Sequence, residues 1–362
     1  MLKVLHVSKY YHPHKGGIES FIYDLHNSSA YCVDSDIVFF HNRNYQYKNL
    51  LGFKIEFRLG KQPISFRAFF WLLCNARNYD LIHFHYPNPF LAFPLIFTKT
   101  SLVIHWHCDI VVGGILRVIN KPFDFLLRLK ARKIIVTSPN YLAFSSYLLP
   151  FKSKCDIIPI GINLNKLVIT KPIDEKPNKN FDNTFKVLSV GRLTEYKGFD
   201  FLIQAMIFLP KNVVLDIVGS GELRPCLIKK INELKLASRI RLHTQVSDIE
   251  LYEFYSKCDV FVLPSVTKNE AFGIVQLEAF YFGKPVISTK IKGSGVDWVN
   301  KHNETGVIVN TKDSKALALA IEKIRNGFLL SNNNSEYVKK EFSIDVVASK
   351  IIRSYDFKYS IA

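Results

Sequence analysis

VFVLPSVTKNEAFGIVQLE (Val260–Glu278) reads as a short apolar strand, a polar loop and the start of a helix. The strand ends at Pro264, the loop carries Glu270, and Gly273 precedes a good helical pattern. The same unit recurs outward in both directions. Strands are expected at Lys186–Val190, Val213–Val218, Ile240–His243, Val260–Leu263, Val286–Ser288 and Val307–Val309. Helical patterns alternate with them at Phe199–Phe208, Arg224–Leu234, Ile249–Lys257, Gly273–Phe282 and Ser314–Arg325. The first half repeats the theme, with strands at Leu2–Val7, Ile37–Phe40, Leu81–Phe84, Leu102–Ile104, Lys133–Val136 and Asp156–Ile158 and helices at Ile18–Asn27 and Phe66–Asn75. Such alternation predicts parallel sheets with helices on both faces. Residues 166–183, with Pro172, Pro177 and several Lys and Asn, break the pattern as an interdomain linker does. The expected organisation is an α/β domain over 1–165, the linker, and a second α/β domain over 184–343. A C-terminal helix over 344–362 is expected to pack back on the first domain.

The 362 residues suit two domains, and 48% hydrophobic with 22% charged residues marks a globular chain. The net charge of +17 favours a polyanionic partner, whether nucleic acid, an anionic membrane surface or a phosphorylated ligand. Up to Asn163 there are 19 basic and 9 acidic residues, so the excess tilts toward the first half. Six scattered cysteines form no CxxC pair, which excludes a zinc or disulfide framework and predicts reduced, buried thiols. The start runs directly into a strand and lacks the features of a signal peptide, and no apolar run has the length of a membrane span. A cytoplasmic protein is expected.

In open parallel sheets, ligands bind outside the carboxyl ends of the strands. Candidate residues cluster there. After the first strand, SKYYHPHKGGIE (Ser8–Glu19) places Gly16 and Gly17 at a helix start, suited to an anion. GRLTEYKG (Gly191–Gly198) sends Arg192 and Lys197 from a strand end, suiting a diphosphate. VGSGE (Val218–Glu222) is a truncated dinucleotide fingerprint, with Arg224 where the third glycine would stand, so a dehydrogenase is a weak reading. Glu270 and Glu278 would lie roughly 12 Å apart on a continuous helix, too far to flank one glycosidic bond as hydrolase carboxylates do. They fit two ends of one elongated nucleotide sugar, sugar and ribose, with the N–H groups of Phe272, Gly273 and Ile274 facing its phosphates. Glu278 sits beside Leu277, Ala279 and Phe280, which read as core. In IHWHCD (Ile104–Asp109), His105 and His107 share one face of a strand. No third metal ligand is evident at suitable spacing, so a hydrogen-bonding role is the better reading.

Together these segments resemble glycosyltransferase family 4, the retaining enzymes of GT-B fold. The resemblance runs through GGIE (Gly16–Glu19), His107, IPIGIN (Ile158–Asn163), GRLTEYKG, VGSGE and Glu270 to Glu278 with FGIV between them. It implies two Rossmann-like domains with parallel sheets facing across a cleft. Gly16 and Gly17 would lie against diphosphate and acceptor, and Arg192 and Lys197 would neutralise the departing diphosphate. Glu270 would bond sugar hydroxyls, Glu278 the ribose, and His107 the transferred sugar or its developing charge. Val246 and Asp248 would lie near the base. The resemblance also implies metal-independent transfer without a cofactor, the nucleotide sugar being a substrate. One departure is that Ala271 and Phe272 intervene between Glu270 and Gly273, which bears on sugar choice.

The family further implies a hexose from GDP-mannose or a UDP-hexose, moved to a glycan acceptor, commonly lipid-linked, in O-antigen, capsule or other surface polysaccharide synthesis. Lys61–Arg77, with Phe66, Phe69, Phe70 and Trp71, and Arg117–Lys133 interleave basic and aromatic residues as a peripheral contact with an anionic membrane would. Nucleic acid is not an expected partner, since charge alone points to it. The alternatives are a nucleotide-sugar epimerase of the same architecture, or a metal-dependent GT-A transferase using Asp34-Ser-Asp36, against which the tandem α/β halves argue.

Overall fold

The computed structural model describes residues 1–14, 16–60, 62–110, 115–168, 184–328, 330 and 333–355. The chain divides into two compact units. One comprises Met1–Gly161 with Ile344–Ala362, the other Ile162–Ser343.

The first unit runs β1 (Lys3–Val7), α1 (Gly17–His26), β2 (Asp34–His41), β3 (Tyr45–Tyr47), β4 (Leu50–Lys54), β5 (Phe57–Leu59), β6 (Gln62–Ile64), α2 (Phe66–Asn75), β7 (Leu81–Tyr86), α3 (Pro89–Phe97), β8 (Ser101–Trp106), α4 (Ile115–Lys130), β9 (Lys133–Val136), α5 (Pro139–Phe144) and β10 (Cys155–Ile157). Its sheet has the order β10-β9-β8-β7-β1-β2-β4-β3, parallel except for β3. β5 and β6 form a separate antiparallel hairpin. Every strand expected in this half is present. β3 to β6 were not expected from the sequence: they are short, and β3 and β5 are largely exposed, so the apolar alternation that betrays a buried strand is weak.

The second unit runs α6 (Leu164–Val168), β11 (Phe185–Val190), α7 (Phe199–Ala205), β12 (Val213–Val218), α8 (Arg224–Glu233), β13 (Ile240–His243), α9 (Asp248–Lys257), β14 (Val260–Leu263), α10 (Val275–Tyr281), β15 (Val286–Lys290), α11 (Val296–Val299), β16 (Gly306–Asn310), α12 (Ser314–Arg325) and α13 (Asn334–Phe342). The sheet order is β13-β12-β11-β14-β15-β16, wholly parallel. β14 is buried along its whole length, as a strand covered on both faces must be. Its core joins Val187, Leu215, Ile217, Val260, Val262 and Ile287 of the strands to Phe199, Ile203 and Ile321 of the flanking helices. The segment expected as a linker, 166–183, is described only to residue 168, within α6; the remainder lies outside the described residues.

The chain then enters α14 (Ile344–Tyr355), grouped with the first unit. Its apolar stripe of Ile344, Val347, Ala348, Ile351 and Tyr355 is buried. A side chain at Gly161 would press within 3.0 Å of Ile344 and Val347, so only glycine lets the chain pass here undisturbed. Residues 356–362 of the expected helix lie outside the described residues.

In each sheet the strand order reverses once, between β1 and β7 in the first unit and between β11 and β14 in the second. Loops leaving the carboxyl ends of two such strands diverge to opposite faces and leave a crevice.

Candidate active site

In the second unit, the loops after β11 and β14 carry Lys197 and Glu270. Lys197 Nζ donates to Glu270 Oε2 at 2.5 Å, and both residues are buried, 7% and 8% exposed. Ser265 Oγ donates to the same carboxylate at 2.9 Å. Glu270's backbone is fixed as well: its N–H donates to the Thr267 carbonyl and its own carbonyl accepts from Ser294 Oγ. The two loops are stitched by Val266 N–H donating to the Tyr196 carbonyl at 2.8 Å. Gly198 makes that approach feasible. It adopts φ +66°, and a side chain there would stand 2.2 Å from the Pro264 carbonyl oxygen. Burial alone would lower the Lys197 pKa; the Glu270 carboxylate and the Tyr196 phenol outweigh it and raise it. Lys197 is therefore an ammonium held by its own carboxylate. Arg192, on the same loop, is exposed and has no ion-pair partner among the described residues. The two cations expected to act alike thus differ: one is neutralised within the protein, the other is open to an anion.

Beyond Glu270 the chain is irregular until Val275, where α10 starts, two residues after the expected helix start at Gly273, so the roughly 12 Å spacing of a continuous helix does not apply. Phe272 is buried against the rings of Trp298 and Phe342. The N–H groups of Phe272, Gly273 and Ile274 have no hydrogen-bond partner among the described residues. Such consecutive free donors make an anion-binding concavity. Leu277, Ala279 and Phe280 are core residues, and the half-buried Glu278 accepts from Tyr255 Oη at 2.7 Å. Val246 lines a cavity of about 570 Å³ with Leu242, His243, Glu253 and Phe254. Asp248 is exposed at the first position of α9 and lies outside that lining.

Gly219 and Gly221 of VGSGE are required by the protein's own backbone. A side chain at Gly219 would lie 1.9 Å from the Gly191 carbonyl oxygen, and one at Gly221 2.4 Å from that of Leu193. Asp34 and Asp36 begin β2, at the end opposite the carboxyl edge where ligands bind, and Asp36 accepts from Tyr79 Oη. They are not placed as a metal-binding DxD. The cysteines are free thiols, but only Cys258 is fully buried; Cys32, Cys74 and Cys226 are exposed, against expectation.

In the first unit, Gly16 precedes α1 and Gly17 opens it. Glu19 of the first turn reaches back, its Oε2 only 2.2 Å from where a side chain at Gly16 would begin. A diphosphate at this helix start would meet the protein's own carboxylate. His107 lies just past β8 and is buried, and burial lowers its pKa to about 3, so it is a neutral imidazole. Four further buried histidines share its face of the sheet: His6 on β1, His83 and His85 on β7, and His105 on β8. All are held neutral, first by burial and then by one another or, for His6, by His26. Phe21 of α1 packs against His105 and His107.

The sequence hid this cluster only in part. Two His-x-His pairs, His83/His85 and His105/His107, each mark one strand face; what was missing was that β7 and β8 are neighbours. A third nitrogen donor is therefore present after all. One ring nitrogen each of His83, His85 and His105 lies within 4.8 Å of the others, a spacing a metal ion could bridge. The rings, however, stand 14–25° from parallel, and in-plane lone pairs of stacked rings diverge rather than converge. Both ring nitrogens of His83 and of His85, and Nδ1 of His105, are already hydrogen-bonded to neighbouring side chains.

The stretches expected at a membrane place Phe66 and Phe70 of α2 and Phe125, Leu126 and Leu129 of α4 at the surface, with Arg67 and Lys121 beside them. Arg128 is instead buried, stacked over Trp106, Tyr147 and Phe151. Lys61 and residues 111–114 lie outside the described residues. No described helix is long and apolar enough to cross a membrane.

Two Rossmann-ordered sheets in tandem, the second with a cation–carboxylate pair at its switch point, define a glycosyltransferase of GT-B fold. The profile described as Glycosyltransferase Family 4 matches residues 15–166, and that described as Glycosyl transferases group 1 matches 170–341. The chain belongs to glycosyltransferase family 4. It is 28% identical to the O-antigen chain mannosyltransferase C of Escherichia coli, over 98% of this chain and 97% of that one. It is 27% identical to the D-rhamnosyltransferase WbpZ of Pseudomonas aeruginosa, over 88% and 86%. HepE of Anabaena, solved in complex with UDP, shares the fold with a TM-score of 0.76 at 18% identity, covering 98% and 99%.

Proposed function

We propose that this glycosyltransferase moves a hexose, with retention of configuration and without a metal, from GDP-mannose or a UDP-hexose to a lipid-linked glycan in surface polysaccharide synthesis. The observation that carries the reading is the buried Lys197–Glu270 pair beside the exposed Arg192 and the free N–H groups of residues 272–274. A nucleoside diphosphate leaving group develops negative charge on its phosphate oxygens. Preorganised cations and N–H groups stabilise that charge without reorganising. In this reading Arg192 and the 272–274 amides take the diphosphate. Lys197 orients Glu270, whose second oxygen is left for a sugar hydroxyl. Glu278 takes the ribose, and the cavity at Val246 the base. The sugar then passes to the acceptor hydroxyl on the face the diphosphate leaves. O-antigen and D-rhamnose transfer by the relatives favour surface polysaccharide as the product class and GDP-mannose as the first donor to try; UDP in the structural neighbour keeps UDP-hexoses open. The exposed aromatic residues of α2 and α4 with their basic neighbours support an anionic membrane, on its cytoplasmic side, as the place of work.

Calorimetry with UDP, GDP, ADP and their sugars tests the donor site. One base is expected to bind, and Arg192→Gln to weaken it by about 10- to 100-fold, the worth of a charge-assisted hydrogen bond. Undiminished binding by this variant would overturn the assignment. Product anomer by NMR, activity under complete chelation, and partitioning between neutral and anionic vesicles test retention, metal independence and membrane contact in turn.

A further inference from the structure

The buried histidines are joined end to end. His107 Nε2 is hydrogen-bonded to His85 Nδ1 at 3.1 Å, and His85 Nε2 to His6 Nδ1 at 3.0 Å. His6 Nε2 meets Tyr31 Oη at 2.7 Å, and Tyr31 Oη meets Tyr355 Oη at 2.8 Å. Tyr355 Oη continues to His83 Nδ1, and His83 Nε2 to His105 Nδ1 at 3.2 Å. The two termini, His107 Nδ1 and His105 Nε2, are buried and have no hydrogen-bond partner among the described residues. Seven groups therefore make one unbranched chain that leaves β8 and returns to it. Tyr355, from the last described turn of α14, is its fifth member and joins the two strand-borne segments.

Each neutral imidazole carries one N–H and one lone pair, and each phenol one O–H. Seven protons serve six links, so one is left over: it lies on a terminal nitrogen if all protons point the same way, or on a phenol that accepts from both neighbours. Each imidazole-to-imidazole link joins an Nε2 to an Nδ1. Only two arrangements satisfy all six links without stranding the O–H of buried Tyr31 or Tyr355 off the chain: every histidine an Nδ1–H tautomer, or every histidine an Nε2–H tautomer. In the first, His107 ends the chain with an N–H and His105 with a lone pair; in the second the roles are exchanged. We propose that this proton-ordered chain couples the tautomer of His107 to those of the other four rings, and that Tyr31, Tyr355, His6, His83 and His85 are positioning residues for it. Whatever reaches the two ends meets one donor and one acceptor, a complement to a hydroxyl group and not to a phosphate. The effect on turnover rests on the role given to His107 in the proposed transfer; the proton order does not.

The test is long-range ¹H–¹⁵N correlation NMR on the full chain with ¹⁵N-labelled histidine. At pH 7 the five buried rings are expected as neutral and of one common tautomer. A single buried ring in the opposite tautomer, or as imidazolium, overturns the proposal without any variant being made. Tyr355→Phe cuts the chain into a His107–His85–His6–Tyr31 part and a His83–His105 part, so their tautomers should no longer agree. Transfer by this variant should fall about tenfold in kcat with little change in donor KM, because the variant alters His107 and leaves the donor site of the second unit untouched. A tautomer pattern identical to the wild type overturns the chain as the source of order, and unchanged kcat overturns its positioning role. An absence of any transfer by the wild-type protein would instead count against the proposed function, and the NMR result would stand apart from it.

Discussion

Two buried polar arrangements stand near the carboxyl edges of two similar sheets, and they solve the problem of burial in opposite ways. In the first unit, five histidines give up charge: burial lowers their pKa values and neutral rings bond head to tail. In the second, Lys197 keeps its charge, because Glu270 lies 2.5 Å away and Ser265 shares the load. A base that gains a proton near neutrality can escape burial by losing it; an ammonium of high pKa cannot, and needs a counter-ion. The two units should therefore fail under different insults.

Acid is the largest test of that contrast. A histidine whose folded pKa is lowered contributes stability that is complete above its unfolded value of about 6.5 and is lost as pH falls below it. Each ring that stays neutral costs roughly 1.4 kcal/mol per pH unit below that point, so five together approach 10 kcal/mol by pH 5. That is comparable to the whole stability of a domain. The first unit is expected to unfold near pH 5 while the second persists. Trp71 and Trp106 lie in the first unit and Trp298 in the second, so fluorescence of Trp106-only and Trp298-only variants separates the transitions. One coincident transition would erase the distinction between the units.

The charged pair gives the next effect. Lys197→Met leaves a buried carboxylate without its cation and should destabilise the second unit by about 3–5 kcal/mol. Adding Glu270→Gln removes the stranded charge, so the double variant should recover much of that loss although both lack transfer activity. Thermal unfolding of the two singles and the double measures the coupling. If the losses simply add, the pair is no unit and Lys197 is free for the diphosphate, as the sequence alone suggested.

That last point shows where sequence reading reached its limit. The strands of both sheets except β3 and β4 were legible, because parallel strands buried on both faces are short β-branched runs between turns. Arg192, Lys197 and Glu270 were legible as residues following strands. That Lys197 and Glu270 face each other was not, since it depends on β11 lying beside β14, a neighbour relation between segments 73 residues apart. The histidine chain failed for the same reason: each His-x-His pair is visible, but joining them takes the order β1-β7-β8, and Tyr355 arrives from the far end of the chain. The glycines of VGSGE were ambiguous because a close approach to the protein's own backbone and one to a nucleotide demand the same residue. The start of α10 was set too early because the Glu270 loop, tied by Ser265, Ser294 and Lys197, holds the backbone away from helix until Val275.

The smallest expected effect concerns a second tyrosine, and it asks whether the two units use phenols alike. Tyr355 sits between neutral rings, whereas Tyr255 donates to a carboxylate, Glu278, at 2.7 Å. Tyr255→Phe removes one hydrogen bond and keeps the ring, so it should cost about 1–2 kcal/mol in the second unit. Its functional signature should be sharper than its stability cost. If Glu278 binds ribose hydroxyls, loosening it should weaken a ribonucleoside diphosphate by a few-fold, while a 2′-deoxy analogue, already lacking one of those hydroxyls, should lose less. Calorimetry of both nucleotides with the wild type and the variant decides the matter. Equal weakening of the two would mean that Tyr255 and Glu278 brace α10 rather than hold the ribose, and that the second unit, like the first, uses its buried phenol for architecture.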